Sequence, residues 1–357
     1  MKLVKSNQFK KLLLSAAIVS VVSACSSTKE VSDTAAPGLQ PAKLFANLPD
    51  YCPTPDAFAI APNGDLTLSC VNYSQKGRYP GVLLNITNQG KVTKLADLTP
   101  SNGKGKVRPM GIAYAPDGSL YICDNQGGNQ ARLLRLTFKG NQVASTEVVA
   151  YGMSSPNGLR YHDGALYLTQ LRLPKMKSKG MASGLYRFKT TDRNIKVSSN
   201  GSSEHLIFSA DTLNPDRAFG LDGLVFDSKG NLFTGNLGDG IIYKLKLNNQ
   251  GKVVEQEVFA TVPKNVGPDG INIDAEDNLY LAGFLNNQII KITPQKQVSV
   301  IADYPDNDGS NGQIDQPADL IVYNDKLVIS NFDLMKGKGI VNTKDDKQAR
   351  ISYIPLK

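Results

Sequence analysis

Hydrophobic and polar positions along the chain repeat in one unit: a short apolar strand, a tight polar turn, then a second apolar strand. Six copies open at Pro55, Pro109, Pro156, Leu221, Pro268 and Pro317, 47 to 65 residues apart. Repetition at such a period marks an array of like supersecondary units. Asn63-Gly64, Asp117-Gly118 and Asp163-Gly164 stand between the two strands in three copies, the turn chemistry of a hairpin that needs positive φ. Asp117 and Asp163 are thereby explained as structural residues. A third apolar strand follows in each copy, at 81–87, 131–137, 184–189, 240–247, 288–293 and 350–356. A fourth follows the first five copies, at 92–98, 146–152, 205–210, 256–262 and 298–304.

The sixth copy runs out of chain before a fourth strand, and a matching segment, 42–48, stands ahead of the first copy instead. Four-stranded blades arranged radially hide their edges only in a closed ring. Pairing 42–48 with 350–356 completes the last blade from both chain ends. The pattern therefore predicts an all-β, six-bladed β-propeller over residues 42–357. The absence of Trp removes the Trp-Asp signature of one propeller class.

Ahead of this domain, Lys2, Lys5, Lys10 and Lys11 precede an apolar run at 12–24. That is a secretory signal, too short for a spanning helix. Val22-Ser23-Ala24-Cys25 resembles the bacterial lipobox, which implies cleavage before Cys25 and lipid attachment to its sulfur. Ser26 resembles an outer-membrane sorting residue. The expected location is the bacterial cell envelope, outer membrane facing periplasm, with residues 25–41 as lipidated Cys and flexible tether. Removing residues 1–24 takes away four Lys and no acid, lowering the formal charge from +8 to +4. No arginine-rich helix or aromatic-interleaved basic patch accompanies that mild charge, so nucleic acid is not an expected partner. Membrane contact is expected through the lipid alone, and the propeller as a monomer. Of the other cysteines, Cys52 and Cys70 both fall in the first repeat and are the first choice for a disulfide in an exported chain. Buried free thiols are the alternative, and Cys123 has no third partner.

In a propeller the first strand of each blade lines the central channel. The residue after each opening position is Asp56, Met110, Asn157, Asp222, Asp269 and Ala318. Like charges converging in a channel raise one another's pKa unless a cation neutralises them. Oxygen donors without His or Cys suit Ca²⁺, with Mg²⁺ or another divalent ion as the alternative. Asn157-Gly158, Asp222-Gly223 and Asp269-Gly270 are also turn dipeptides, which would make them mere strand starts. With only His162 and His205 in the chain, a multi-His zinc site is excluded. His162 is expected at a hairpin turn on the far face and His205 at an outer strand, both on the surface.

The stretch PDGINIDAEDNLYLA (268–282) resembles the blade-five signature of the senescence marker protein/gluconolactonase/LRE-like propellers, relatives of diisopropyl fluorophosphatase and the paraoxonases. The resemblance implies a metal held by Asp56, Asn157, Asp222 and Asp269, polarising a carbonyl or phosphoryl oxygen. Asp269 would act as general base or nucleophile, with Asp222 as the competing catalytic residue. Asp56 stands where the family has Glu and Asp222 where it has Asn. Ser155 occupies the place of an Arg found in sugar-lactone members, against aldonolactone specificity. The implied function is Ca²⁺-dependent hydrolysis of a lactone or related ester, a small-molecule substrate. The alternative is a non-catalytic, membrane-anchored platform resembling NHL-repeat propellers, with a structural cation.

The substrate pocket is expected from loops between second and third strands. Asn125, Gln170, Asn236, Asn287 and Asn331 are the substrate-binding candidates, with Asn72, Tyr73, Asp124 and Phe284 beside them. Two long loops, 171–183 and 332–349, carry several Lys; solvated, mobile loops are the favoured reading, and cationic lids favouring anionic substrates the alternative.

Overall fold

Each repeat forms an antiparallel meander because its strands alternate with turns that only Gly, Asn or Asp adopt at low cost. Gly64 and Gly118 have φ near 85° and 79°, and in the third repeat both Asp163 and Gly164 are left-handed. The computed structural model describes residues 39–100, 105–126, 130–140, 142–346 and 348–356. The secretory signal, Cys25 and most of the tether lie outside them.

Six sheets result, arranged as a six-bladed β-propeller. The innermost strands are Pro55–Ile60, Pro109–Tyr114, Pro156–His162, Leu221–Phe226, Pro268–Ile273 and Pro317–Tyr323. Lys43–Asn47 pairs antiparallel with Arg350–Pro355, matching Lys43 to Tyr353 and Asn47 to Arg350. The two chain ends thus share one blade, as the displaced strand predicts. Second strands such as Leu66–Cys70 and Leu120–Asp124 are buried at every position, because each is covered on both faces by neighbouring blades. Outer strands carry the solvent face: in Val253–Thr261 the Glu residues are exposed, which discourages pairing with another chain.

The core follows the seams between blades. Leu66, Leu68, Leu84 and Ile86 of blade one pack with Ile321, Val328 and Ile351 of blade six, so the closing seam is as apolar as the others. Cys52 and Cys70 form a disulfide, and Cys123 is a buried free thiol.

The second blade has five strands, not four. Ile195–Lys196 pairs parallel with its outer strand, Ile195 against Ala150 and Lys196 against Tyr151. This excursion, made between the third and fourth strands of blade three, accounts for part of the long spacing from Pro156 to Leu221. Beyond a single turn at Ser74–Gly77 and a 3-10 turn at Ser310–Gly312, the described residues contain no helix.

Candidate active site

Every innermost strand opens on a bulge. Pairing jumps from Pro55 to Phe58, from Pro156 to Leu159, from Leu221 to Leu224 and from Pro268 to Ile271. An extra residue on one strand re-aims its side chains. Asp56, Asn157, Asp222 and Asp269 sit in these bulges and line one cavity.

The glycines that follow are not turn residues. Gly158, Gly223 and Gly270 are absent from the left-handed region. A Cβ at Gly158 would lie 2.5 Å from the carbonyl oxygen of Asp222, and one at Gly223 2.3 Å from that of Asp269. Glycine is needed because the next blade's backbone presses on it. Second-strand hydroxyls complete the placement. Ser330 donates to the carbonyl of Asp56, and Thr169 donates to that of Asp222 at 2.6 Å. Thus each of these two ring residues is held by its own strand and by the preceding blade.

The carboxyl groups disturb one another. Burial, then the charges of Asp319 and Asp222, push Asp56 well above the usual carboxylate range. Burial also raises Asp269, followed by the charges of Asp222 and Asp56. Asp222 is pushed up to about 7, chiefly by burial, with a hydrogen bond from Asp269 acting the other way. Each thus makes ionisation of the other less favourable, as expected of buried carboxyls in one cavity. A hard divalent cation fits this donor set, since it would supply the missing positive charge to oxygen ligands alone. The three carboxylates do not draw together as tightly as the sequence implies. Among the described residues, the acidic trio with ligand atoms all within 4.8 Å of one another is a different one, Asp315, Asp333 and Asp346.

A fourth carboxylate serves the ring from blade six. The repeat register assigns Ala318 to this blade, but the side chain that acts on the ring is Asp319. It accepts a hydrogen bond from the backbone N–H of Phe58 at 2.9 Å and lies 3.8 Å from Arg160. Its signal was an acid at the position where blades two to five have Gly.

The walls are apolar. The cavity of about 220 Å³ is lined by Met110, Leu171, Phe219, Leu237, Phe284, Leu285, Phe332, Leu334, Met335 and Ile340, with Tyr73, Asn125 and Arg217. Four lining residues come from loop 332–349, which roofs the site. Arg217 donates to the carbonyl of Lys338 in that loop. It is the one basic lining residue among those described. The Lys residues of loop 171–183 point to solvent. The exposed Lys fit solvated loops rather than cationic lids, and the roof's contribution to the lining is apolar: Phe332 is buried, Leu334 and Ile340 are half-buried, and Met335 lines the cavity while remaining 40% exposed.

The amide candidates separate. Asn125 lines the cavity, and so do Tyr73 and Phe284. Gln170, Asn236, Asn287 and Asn331 do not; their substrate-binding assignment gives way to a structural one. Gln170 accepts from the N–H of Ser154, and Asn236 accepts from Thr212 and from the N–H of Asp239. Asn287 accepts from the N–H of Gln316, and Asn331 joins Asp315 to Ser352. All four are buried, and buried amides are retained where they satisfy loop backbone. Asn72 and Asp124 are likewise spent, Asn72 on the carbonyls of Tyr51 and Pro80 and Asp124 on Arg132. Both His are half-buried rather than on the open surface: His162 stacks on Phe226 at 3.9 Å and His205 on Phe188 at 4.8 Å. Neither lines the cavity.

The family model for the SMP-30/gluconolactonase/LRE-like region matches residues 160–310. No curated protein matches the chain in sequence. Among solved structures, a gluconolactonase from Xanthomonas campestris is 17% identical, with 91% of this chain and 99% of that chain covered and a TM-score of 0.57. An aldose sugar dehydrogenase from Streptomyces coelicolor, solved with its PQQ cofactor, is 16% identical over 90% of this chain and 100% of that one, at 0.55. A luciferin-regenerating enzyme is 15% identical over 88% and 92%, at 0.56. Likeness at this level is likeness of fold, and one fold hosts several chemistries.

Proposed function

Because the family model for the SMP-30/gluconolactonase/LRE-like region matches residues 160–310, we propose that this chain is a divalent-metal-dependent hydrolase, with Ca²⁺ as its first-choice ion, acting on a small lactone or ester of apolar character. One observation carries the reading: Asp56, Asn157, Asp222 and Asp269 line the same small cavity as ten apolar side chains. The donor set would hold the ion, and the walls would take the hydrocarbon part of the substrate. When bound, the cation supplies Lewis acidity at the substrate carbonyl oxygen. Asp269 accepts a proton from the attacking water as the new C–O bond forms. It returns that proton to the leaving alkoxide as the lactone or ester C–O bond breaks. Asp222, whose charge raises Asp269, biases where that proton rests. The roof excludes bulk water and strengthens these charge interactions.

The apolar lining and the structural use of four amides argue against a hydroxyl-rich sugar lactone. We read the enzyme as a monomer, tethered through lipidated Cys25 and facing the periplasm. The test is hydrolysis of a medium-chain aliphatic lactone, an aryl ester and an aldonolactone, with and without Ca²⁺, by the chain and by Asp269→Asn. Calcium-dependent turnover of the first two, lost in the variant, supports the proposal. Tight calcium binding with no turnover of any of them leaves a binding platform in its place.

A further inference from the structure

The second acidic cluster lies apart from the ring. Asp315 precedes the innermost strand of blade six; Asp333 and Asp346 belong to loop 332–349. One carboxylate oxygen from each lies within 4.8 Å of the others. Asp315 is 1% exposed, and its Oδ1 is buried with no hydrogen-bond partner. The Oδ2 of Asp346 is also buried and unpartnered. Buried, unpartnered oxygens on carboxylates that converge are unfavourable in a protein interior unless something positive stands among them. Lys344 meets only the Oδ1 of Asp346, at 2.8 Å, from a side chain that is mostly in solvent. Asp306 and Asp345 add further negative charge to the same neighbourhood.

We propose that Asp315, Asp333 and Asp346 form a second divalent-cation site, distinct from the channel-mouth ring, which fastens the loop that roofs the cavity. Oxygen-only donors from a flexible loop suit Ca²⁺, which accepts irregular coordination. The consequence for the roof follows from the chain itself. Asp333 stands between Phe332 and Leu334, both of which line the cavity. Asp315 precedes Gln316, whose Oε1 accepts from the N–H groups of Leu334 and Met335 at 2.8 and 2.7 Å. A cation here ties down the same backbone that Gln316 grips.

The test is calcium stoichiometry of the chelator-treated full chain by titration calorimetry, in the wild type, Asp315→Asn, Asp269→Asn and the double variant. Two equivalents are expected in the wild type, one in each single variant and none in the double. Calcium should slow trypsin cleavage after Lys336 or Lys338 by at least roughly fivefold in Asp269→Asn, and leave it unchanged in Asp315→Asn. If Asp315→Asn does not fold, Asp346→Asn, at the half-buried edge of the cluster, serves in its place. One equivalent that survives Asp315→Asn and disappears in Asp269→Asn overturns the second site, as does no binding at all. One equivalent with the opposite behaviour upholds it and removes the ring site instead.

Discussion

Asp56, Asn157, Asp222 and Asp269 stand on four different innermost strands, whereas Phe332, Leu334, Met335 and Ile340 come from one loop within a single blade. The floor of the cavity is polar and bound into sheets. Its ring residues are held by bulges, in three cases by a following glycine that admits no Cβ, and in two cases by hydroxyls reaching across a seam. The roof is apolar and has no ladder of its own; it hangs on Gln316 and on Arg217. Placing charge demands rigid elements, since a misplacement of about 1 Å is costly for chemistry. Covering an apolar substrate demands only area, which a loop can supply. The site thus divides its labour between parts of the fold with different stiffness.

The strongest way to break this division is to disable the floor. Asp269→Asn should lower calcium-dependent hydrolysis by roughly 100-fold or more, the range for losing a positioned proton acceptor. Turnover within a few-fold of wild type would remove Asp269 from the chemistry. Next in size, replacing Cys52 and Cys70 with Ala opens a cross-link of 18 residues' separation beside the blade-one strand that carries Asp56. Unfolding free energy should fall by about 3 kcal/mol, read from denaturant midpoints; an unchanged midpoint would mean that the seam alone holds that segment.

The third prediction concerns pH. In the cation-free chain Asp56, Asp222 and Asp269 bind protons more tightly than in the unfolded chain. Their protonated forms therefore favour the fold at low pH. That contribution is lost as pH rises from near 4, the unfolded value, through about 7, where Asp222 ionises. Calcium competes with the same protons. Its affinity should rise up to roughly tenfold per pH unit for each proton displaced across that window, measured by titration at pH 5.5 and 7.5. A flat profile would show that these carboxylates are not the ligands. The smallest effect belongs to the roof: Met335→Ala should raise KM for an aliphatic lactone by roughly fivefold, about 1 kcal/mol of lost apolar contact, with kcat little changed. An equal fall in kcat would mean that the roof also sets the geometry of the floor.

How much of this was legible differs between the two regions for the same reason. Ring residues recur at one position of a repeat, so Asp56, Asn157, Asp222 and Asp269 could be picked out by register. Asp319 was missed because it stands one residue off that register, and Ala318 held the expected place. The amides Gln170, Asn236, Asn287 and Asn331 occupy second-strand ends and loops from which either a pocket or a loop backbone can be reached. Only the three-dimensional path of the loops assigns them to the backbone. The Gly after Asn157, Asp222 and Asp269 reads as a turn in one dimension and as a close inter-blade contact in three.

The sequence by itself determined the blade count, the closure of the ring by both chain ends, the Cys52–Cys70 pairing as first choice and the oxygen-rich character of the channel mouth. These are set by local periodicity and by the need of every strand edge for a partner, both of which are written along the chain. Tertiary structure alone decided that an apolar roof covers the ring, that Arg217 reaches that roof, and that Asp315, Asp333 and Asp346 meet. Those contacts join residues from loops with no repeat, and nothing short of the folded path brings them together.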